Sequence, residues 1–306
     1  MPKSKQKVLQ KKLEEIPETA RNFYQKFAGK EEEIERISYH YEVDPKFFLT
    51  ITGGEWNTYS CSLWGEKNMT LTEAQEKKLD LYAELMELKP GMKILDVGCG
   101  WGGPLVYLCH KYGVSGHGIT ISPMAITTAE QRVHKYGVDA TFEVVHWEDL
   151  NGEEVYDAVF TDEVIVHFNN LEGFFNKVYK LLKKDGVMVN KELHFTNSDF
   201  AHANDRLSQH INKVYGYTGN YLTLSKELSI LDKSCFKLSQ IVDIPMDYYN
   251  RTIKEYWLKY IQENKEGLVS LTNKKHVRDF ILYLKGTIRV FNHGNFGMHI
   301  IKAKKM

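Results

Sequence analysis

The segment Leu95-Asp96-Val97-Gly98-Cys99-Gly100-Trp101-Gly102 is the first stretch of the chain whose residue types and spacing suit ligand chemistry. Gly98 and Gly100 let the backbone turn tightly and approach a bound group that a Cβ would exclude. Asp96 stands directly before the glycines, where a carboxylate suits an ammonium or a ribose more than a pyrophosphate. No Lys-Ser/Thr follows, as a phosphate-cradling P-loop requires. Gly118-Ile119-Thr120-Ile121-Ser122 lacks the acid that would hold an NAD ribose, although Gly103 meets the dinucleotide spacing and leaves that ligand open at this point. Further along, Phe160-Thr161-Asp162-Glu163-Val164-Ile165-Val166-His167-Phe168 carries a carboxylate and an imidazole, Glu163 and His167. They lie one turn apart on one face if this segment is helical, and both are general acid–base groups. His194, His202 and His210, with Asp199 and Asp205, show no metal-ligand spacing.

The elements that must position these residues read as alternating strands and helices. Lys93–Val97 is a short buried-strand run leading into the glycine loop, and a helix follows to about Tyr112. Strands are predicted at Val114–Ile121, Thr141–Val145, Tyr156–Phe160 and Gly186–Asn190, with helices at Met124–Tyr136 and Leu171–Leu182 between them. This alternation implies βαβ units, a parallel sheet and right-handed crossovers. Strand texture returns at Arg289–Phe291 and Gly297–Ala303. Ahead of the sheet, Lys3–Ala28 reads as a Lys/Glu-rich helical cap, or as a lid or membrane-surface helix given its basic first half. Aromatics crowd Tyr39 to Trp64, Gly53-Gly54 breaks any helix there, and a helix from Thr72 to Leu88 is predicted with Thr72 as its N-cap. The stretch 197–249 reads as mostly helical and polar-aromatic.

Composition sets the outer bounds. The 306 residues hold 40 Lys+Arg against 40 Asp+Glu, with 42% apolar and 26% charged residues. That excludes a disordered chain, and a neutral balance argues against a dedicated nucleic-acid binder. Cys61, Cys99, Cys109 and Cys235 form no zinc pattern and staple nothing, which points to a reducing cytoplasm. No run reaches the roughly 18 apolar residues of a membrane span, so a soluble protein without a transmembrane segment is expected.

The loop resembles the S-adenosylmethionine-binding motif of class I methyltransferases. With it, His40-Tyr41, Thr58-Tyr59-Ser60-Cys61, Leu71-Thr72-Glu73-Ala74-Gln75 and Leu88-Lys89-Pro90-Gly91 resemble the cyclopropane-fatty-acid synthase family, which includes mycolic acid cyclopropane synthases and coclaurine-type N-methyltransferases. The likeness runs from about Tyr39 to the C-terminus, weaker after Asn190. It implies an α/β, Rossmann-like class I fold: a mostly parallel sheet with an antiparallel C-terminal edge, a helical cap over residues 1–75, and a methyltransferase domain over 76–306 whose helical insertion at about 197–249 covers the site. It implies S-adenosylmethionine as cofactor. Tyr59 and Ser60 match the pair closing over its methionine end, Asp96, Gly98 and Gly100 the loop, Thr120 and Ile121 the residues after the second strand, and Trp147 and Glu148 the pair beside the adenine.

One part of the family pattern breaks. Its cyclopropane synthases are thought to hold a bicarbonate base on a Glu, a His, a Tyr and two Cys. Here Val166 stands at the Glu position, Lys191 at the His and Thr287 at the later Cys, while Cys61 and Tyr249 remain. A valine can neither bind an anion nor accept a proton. The coclaurine-type branch fits better, because Glu163 matches an extra acid there and His167 its histidine. The expectation is therefore S-adenosylmethionine-dependent methylation of an amine on a small-molecule acceptor, with Glu163, His167 and Tyr249 catalytic and no metal. Methylation or cyclopropanation of an unsaturated fatty-acyl lipid is the alternative, and a non-catalytic cofactor-binding protein the third. Tyr217, Tyr221, Tyr248, Tyr249 and Trp257 could wall the acceptor pocket, and the oligomeric state, a homo-oligomer included, is left open.

Overall fold

The computed structural model describes residues 29–41, 43–197 and 221–306. The expected helix at Lys3–Ala28 falls outside them, as do His202, His210, Tyr217, Asp199 and Asp205.

Seven strands form one sheet in the order β3-β2-β1-β4-β5-β7-β6. They are β1 (Lys93–Val97), β2 (Ser115–Thr120), β3 (Ala140–Val144), β4 (Tyr156–Asp162), β5 (Leu182–Phe195), β6 (Lys237–Ile244) and β7 (Phe296–Lys304). Strands β3, β2, β1, β4 and β5 run parallel, whereas β7 is antiparallel to both its neighbours. The antiparallel strand is thus one in from the edge, with β6 outside it.

Helices α1 (Lys30–Tyr41), α2 (Pro45–Thr52) and α3 (Leu71–Leu85) precede the sheet. Helices α4 (Gly103–Tyr112), α5 (Pro123–Tyr136) and α6 (Leu171–Leu181) make the crossovers. After β5 come α7 (Leu224–Lys233), α8 (Met246–Arg251), α9 (Leu258–Glu263), α10 (Lys265–Leu271) and the long α11 (Lys274–Asn292). Local chemistry sets their ends. Gly113 and Gly137 take left-handed C-cap conformations after α4 and α5. The N-cap of α3 is Thr70, in a reciprocal capping box with Glu73, and not Thr72. Thr72 instead accepts a hydrogen bond from the Glu55 N–H.

Two further expectations are corrected. Arg289–Phe291 is the last turn of α11 rather than a strand, because Val277, Phe280, Leu284, Thr287 and Phe291 keep a buried helical stripe running through it. Within 197–249 lies a strand, β6, that helical texture did not suggest; its residues are mostly exposed along the sheet edge.

The sheet separates two cores. One packs Ile94, Val187, Val189 and Leu193 against Phe47, Phe48, Tyr82 and Trp257. The other packs Leu95, Val159 and Met188 against Phe174, Phe175, Val178 and Leu231. Side chains alternate along β5, so Lys191 faces the first core while Asn190, Glu192 and His194 face the second. The strand order reverses between β1 and β4, and the crevice outside their carboxyl ends is where an open α/β sheet binds its ligand.

Candidate active site

That crevice holds a cavity open to solvent on one side. Tyr59, Ser60, Asp96, Gly98, Gly100, Thr120, Ile121, Trp147, Glu163 and His167 all line it. The two loop glycines are needed for different reasons. A Cβ on Gly98 would lie 2.6 Å from the Val164 side chain, whereas one on Gly100 would meet no protein atom within 4 Å. Gly100, at φ +50, keeps its space clear for something that is not protein.

Asp96 is 3% exposed, and its Oδ2 has no partner among the described residues. Burial, reinforced by the charge of Asp162, pushes this carboxyl well above the usual range. A buried carboxyl with a spare oxygen suits a ligand ammonium or hydroxyl. Trp147 packs its ring on Phe168 and Phe174 at 5.6 and 5.5 Å, and its Nε1 also lacks a partner among the described residues. It is both core and cavity wall. Over the cavity, α1 is tied down by buried Glu33, which bonds His146 Nε2 at 2.9 Å and accepts from the Asn169 N–H at 2.7 Å.

Behind the cavity lies a buried ionic network. Lys78 donates to Asp162 Oδ2 at 2.7 Å and to Ser60 Oγ at 2.6 Å, and Ser60 in turn donates to Asp162 at 2.6 Å. Lys191 donates to Asp162 Oδ1 at 3.0 Å and pairs with Glu163. Glu163 also accepts from the Cys61 N–H at 2.8 Å and the Tyr249 hydroxyl at 2.7 Å. The pairing follows from strand register, since Lys191 is the cross-strand neighbour of Asp162. Both lysine side chains are 0% exposed. Burial opposes charge on Lys191, but Asp162 and Glu163 outweigh it and raise its pKa, so it is a fixed cation. For Lys78 burial wins over Asp162, and its pKa falls. Asp162 is held well below the usual range: burial works against it, and the lysine charges and hydrogen bonds overcome that.

Glu163 and His167 do not share a helix face. The only helical piece here is a single 3₁₀ turn, Ile165–His167, and Glu163 precedes it at φ +60 with its N–H on the Lys191 carbonyl. This left-handed turn ends β4 and swings the carboxylate toward Cys61 and Tyr249. Tyr249 does not line the cavity but touches Glu163, and its ring stacks on Phe291. Glu148 is exposed and outside the cavity lining; its carbonyl accepts from Lys177. Of the proposed aromatic wall, Trp257 packs on Tyr59 at 5.3 Å, while Tyr221 packs on Phe195 and Phe296. Among the described residues no three His, Cys, Asp or Glu side chains are grouped to hold a metal.

The sequence reading missed Lys78, Asp162, and the Glu33–His146 tie. Lys78 had a signal: it sits on the same helical stripe as Ala74, Leu71 and Tyr82, where a charge is out of place. Glu33 and His146 are far apart in the chain, and nothing local joins them.

The profile of the mycolic acid cyclopropane synthetase family matches residues 28–301. The chain belongs to that family. This family member is an S-adenosylmethionine-dependent enzyme, and the cavity suits that cofactor: Asp96 and Trp147 offer it unpaired polar atoms, and Gly100 a clear approach. Methoxy mycolic acid synthase MmaA3 of Mycobacterium tuberculosis is 27% identical over 274 residues, which are 85% of this chain and 92% of that protein. The cyclopropane synthase MmaA2 of Mycobacterium tuberculosis superposes with a TM-score of 0.82 at 24% identity, over 89% of this chain and 98% of the other. Coclaurine N-methyltransferase superposes at 0.74 and 19% identity, over 98% and 94% of the two chains. At those identities the two structures speak for the fold alone. No described helix is long and apolar enough to cross a membrane.

Proposed function

We propose that this enzyme methylates the double bond of an unsaturated fatty-acyl chain and that Glu163 is its base. The observation that carries the proposal is the Glu163 carboxylate, presented at the cavity and gripped by Lys191, the Cys61 N–H and Tyr249. When bound, S-adenosylmethionine supplies an electrophilic methyl group, and its addition to an alkene leaves a carbocation on the neighbouring carbon. Glu163 then takes one proton. Taken from an adjacent carbon, its electron pair restores a double bond beside a methyl branch; taken from the new methyl, it closes a ring. Either product needs one base and no other reagent.

An amine acceptor, the expectation drawn from the Glu-His pair, suits this site less well. A carboxylate already held by a cation and two hydrogen-bond donors is a weak acceptor for the firmly held proton of an alkylammonium. A carbocation gives its proton up readily. The relative with mycolic acid in its name also favours the lipid class. Four free cysteines suit a reducing compartment, and we place the enzyme there.

The test is radiolabelled-methyl transfer to a cell extract. Label should enter the organic phase and follow chains carrying double bonds, while fully saturated lipids take none. Label confined to aqueous amines would overturn the lipid reading and restore the amine.

A further inference from the structure

Three donors from three distant parts of the chain converge on Glu163. The Cys61 N–H comes from the loop between α2 and α3, the Lys191 ammonium from β5 and the Tyr249 hydroxyl from α8. The side chains of Cys61, Lys191 and Tyr249 are buried. A backbone N–H, a cation and a hydroxyl aimed at one point in a buried setting make an oxyanion site.

The bicarbonate that the resemblance to cyclopropane synthases implies does not fit beside this arrangement. Val166 has no polar side chain, and its N–H is spent on Glu192 Oε2 at 3.1 Å. The Thr287 hydroxyl turns back to the Tyr283 carbonyl at 3.1 Å. The Cys61 thiol lies against the Ser62 carbonyl, and burial pushes its pKa to about 12. A second anion would also face the Glu163 charge with Lys191 already divided between Asp162 and Glu163.

We propose that Cys61 N–H, Lys191 and Tyr249 form an oxyanion site whose occupant is the chain's own Glu163 carboxylate, and that removing that side chain opens the site to a small carboxylate such as formate. The backbone supports the assignment. Glu163 is held at φ +60, a conformation that costs a side-chain-bearing residue energy and persists where the surroundings demand it.

The experiment titrates formate against the wild-type enzyme, Glu163→Gly, Glu163→Gln and the double variant Glu163→Gly/Lys191→Met, with chloride at matched ionic strength. Glycine accepts φ +60 without strain, so Glu163→Gly empties the site while easing the turn. Its thermal midpoint should rise with formate along a saturating curve. The wild type and Glu163→Gln, whose sites are filled, should not respond, nor should the double variant, which lacks the cation. No saturable rise in Glu163→Gly, or an equal rise in the wild type, would overturn the proposal. A second readout needs no variant to fold: methyl transfer by the wild type should not change when bicarbonate is stripped from the buffer. A rate that falls and recovers on adding bicarbonate also overturns it.

The activity arm rests on the reading of Glu163 as base. There, formate should restore at least tenfold of the rate that Glu163→Gly loses. A saturable midpoint rise with no methyl transfer to any alkene would leave the anion site standing and sink the acyl-chain reading alone.

Discussion

Both oxygens of the Glu163 carboxylate, the proposed base, already have partners, Lys191 and the Cys61 N–H on one and Tyr249 on the other, so changing one atom tests it cleanly. Glu163→Gln keeps the volume and removes the base. On an unsaturated acyl lipid kcat should fall by about 10² to 10⁴, the usual range for a lost general base. KM should stay within about threefold, because an alkene brings no charge for the carboxylate to steer. A raised KM with kcat intact, measured by labelled-methyl transfer, would point to a cationic acceptor. The loop glycines give a second contrast. Gly100→Ala places its methyl group in open cavity space and meets only the strain of φ +50, so calorimetry should find cofactor binding weakened with a smaller loss of thermal stability than at Gly98. Gly98→Ala drives a Cβ against Val164, so it should lose both cofactor binding and thermal stability. Eight of the nine residues expected at the cofactor, from Tyr59 through Trp147, line the cavity. The loop glycines were legible because backbone approach to a ligand demands them at fixed offsets, and the others through the family resemblance. Much of the remaining lining carried no motif. The ionic network was not legible, because Lys78 and Asp162 meet only through the fold, 84 residues apart.

Strand β5 and helix α3 supply the two buried lysines, and their amphipathic patterns show what was readable at the scale of elements. The central parallel strands β1 and β4 were found because they are nearly continuous buried runs, whereas β3, at the sheet edge, is mostly exposed and was read from its alternation with helices. Even so, β5 was read as Gly186–Asn190 when it extends over Leu182–Phe195, since Lys191 and Glu192 look like the end of an apolar run. They are buried all the same, Lys191 paired with carboxylates and Glu192 held by the N–H groups of Val166 and Leu193. Edge strand β6 left little trace, because most of its residues face water. Lys191→Met leaves Asp162 and Glu163 with Lys78 as the remaining cation of the network, and Lys78→Met leaves the same two carboxylates with Lys191 alone, so either change leaves one buried negative charge in excess. Each should cost about 3 to 5 kcal/mol in urea unfolding, the penalty of an uncompensated buried charge. Because they share Asp162, the double variant should depart from the sum of the two by more than about 0.5 kcal/mol. Strict additivity would show the two pairs to be independent.

Acid sensitivity belongs to the molecule as a whole. His117, His276 and His299 all have pKa values lowered, with burial the largest cause in each, so folding favours their neutral forms. In the unfolded chain they titrate near 6.5. As pH falls through that value the unfolded state binds protons that the folded state refuses, and stability drops. Buried Asp96 and Glu192, whose pKa values burial raises, work the other way, so the histidine contribution is read by difference. The urea midpoint at pH 5.5 relative to pH 7.5 should be higher in His299→Gln than in the wild type, and an unchanged ratio would sink this account. The sheet order carries one more consequence. Strand β7 follows β6 in the chain, yet lies between β5 and β6 and pairs with β5 from Val187 to Phe195. On the ribosome, then, β5 and β6 are both made before the strand that joins them, and each waits with an unsatisfied edge. The outer sheet can close only after β7 has emerged, so until then β5 and β6 each keep an open edge that the same strand must fill from both sides.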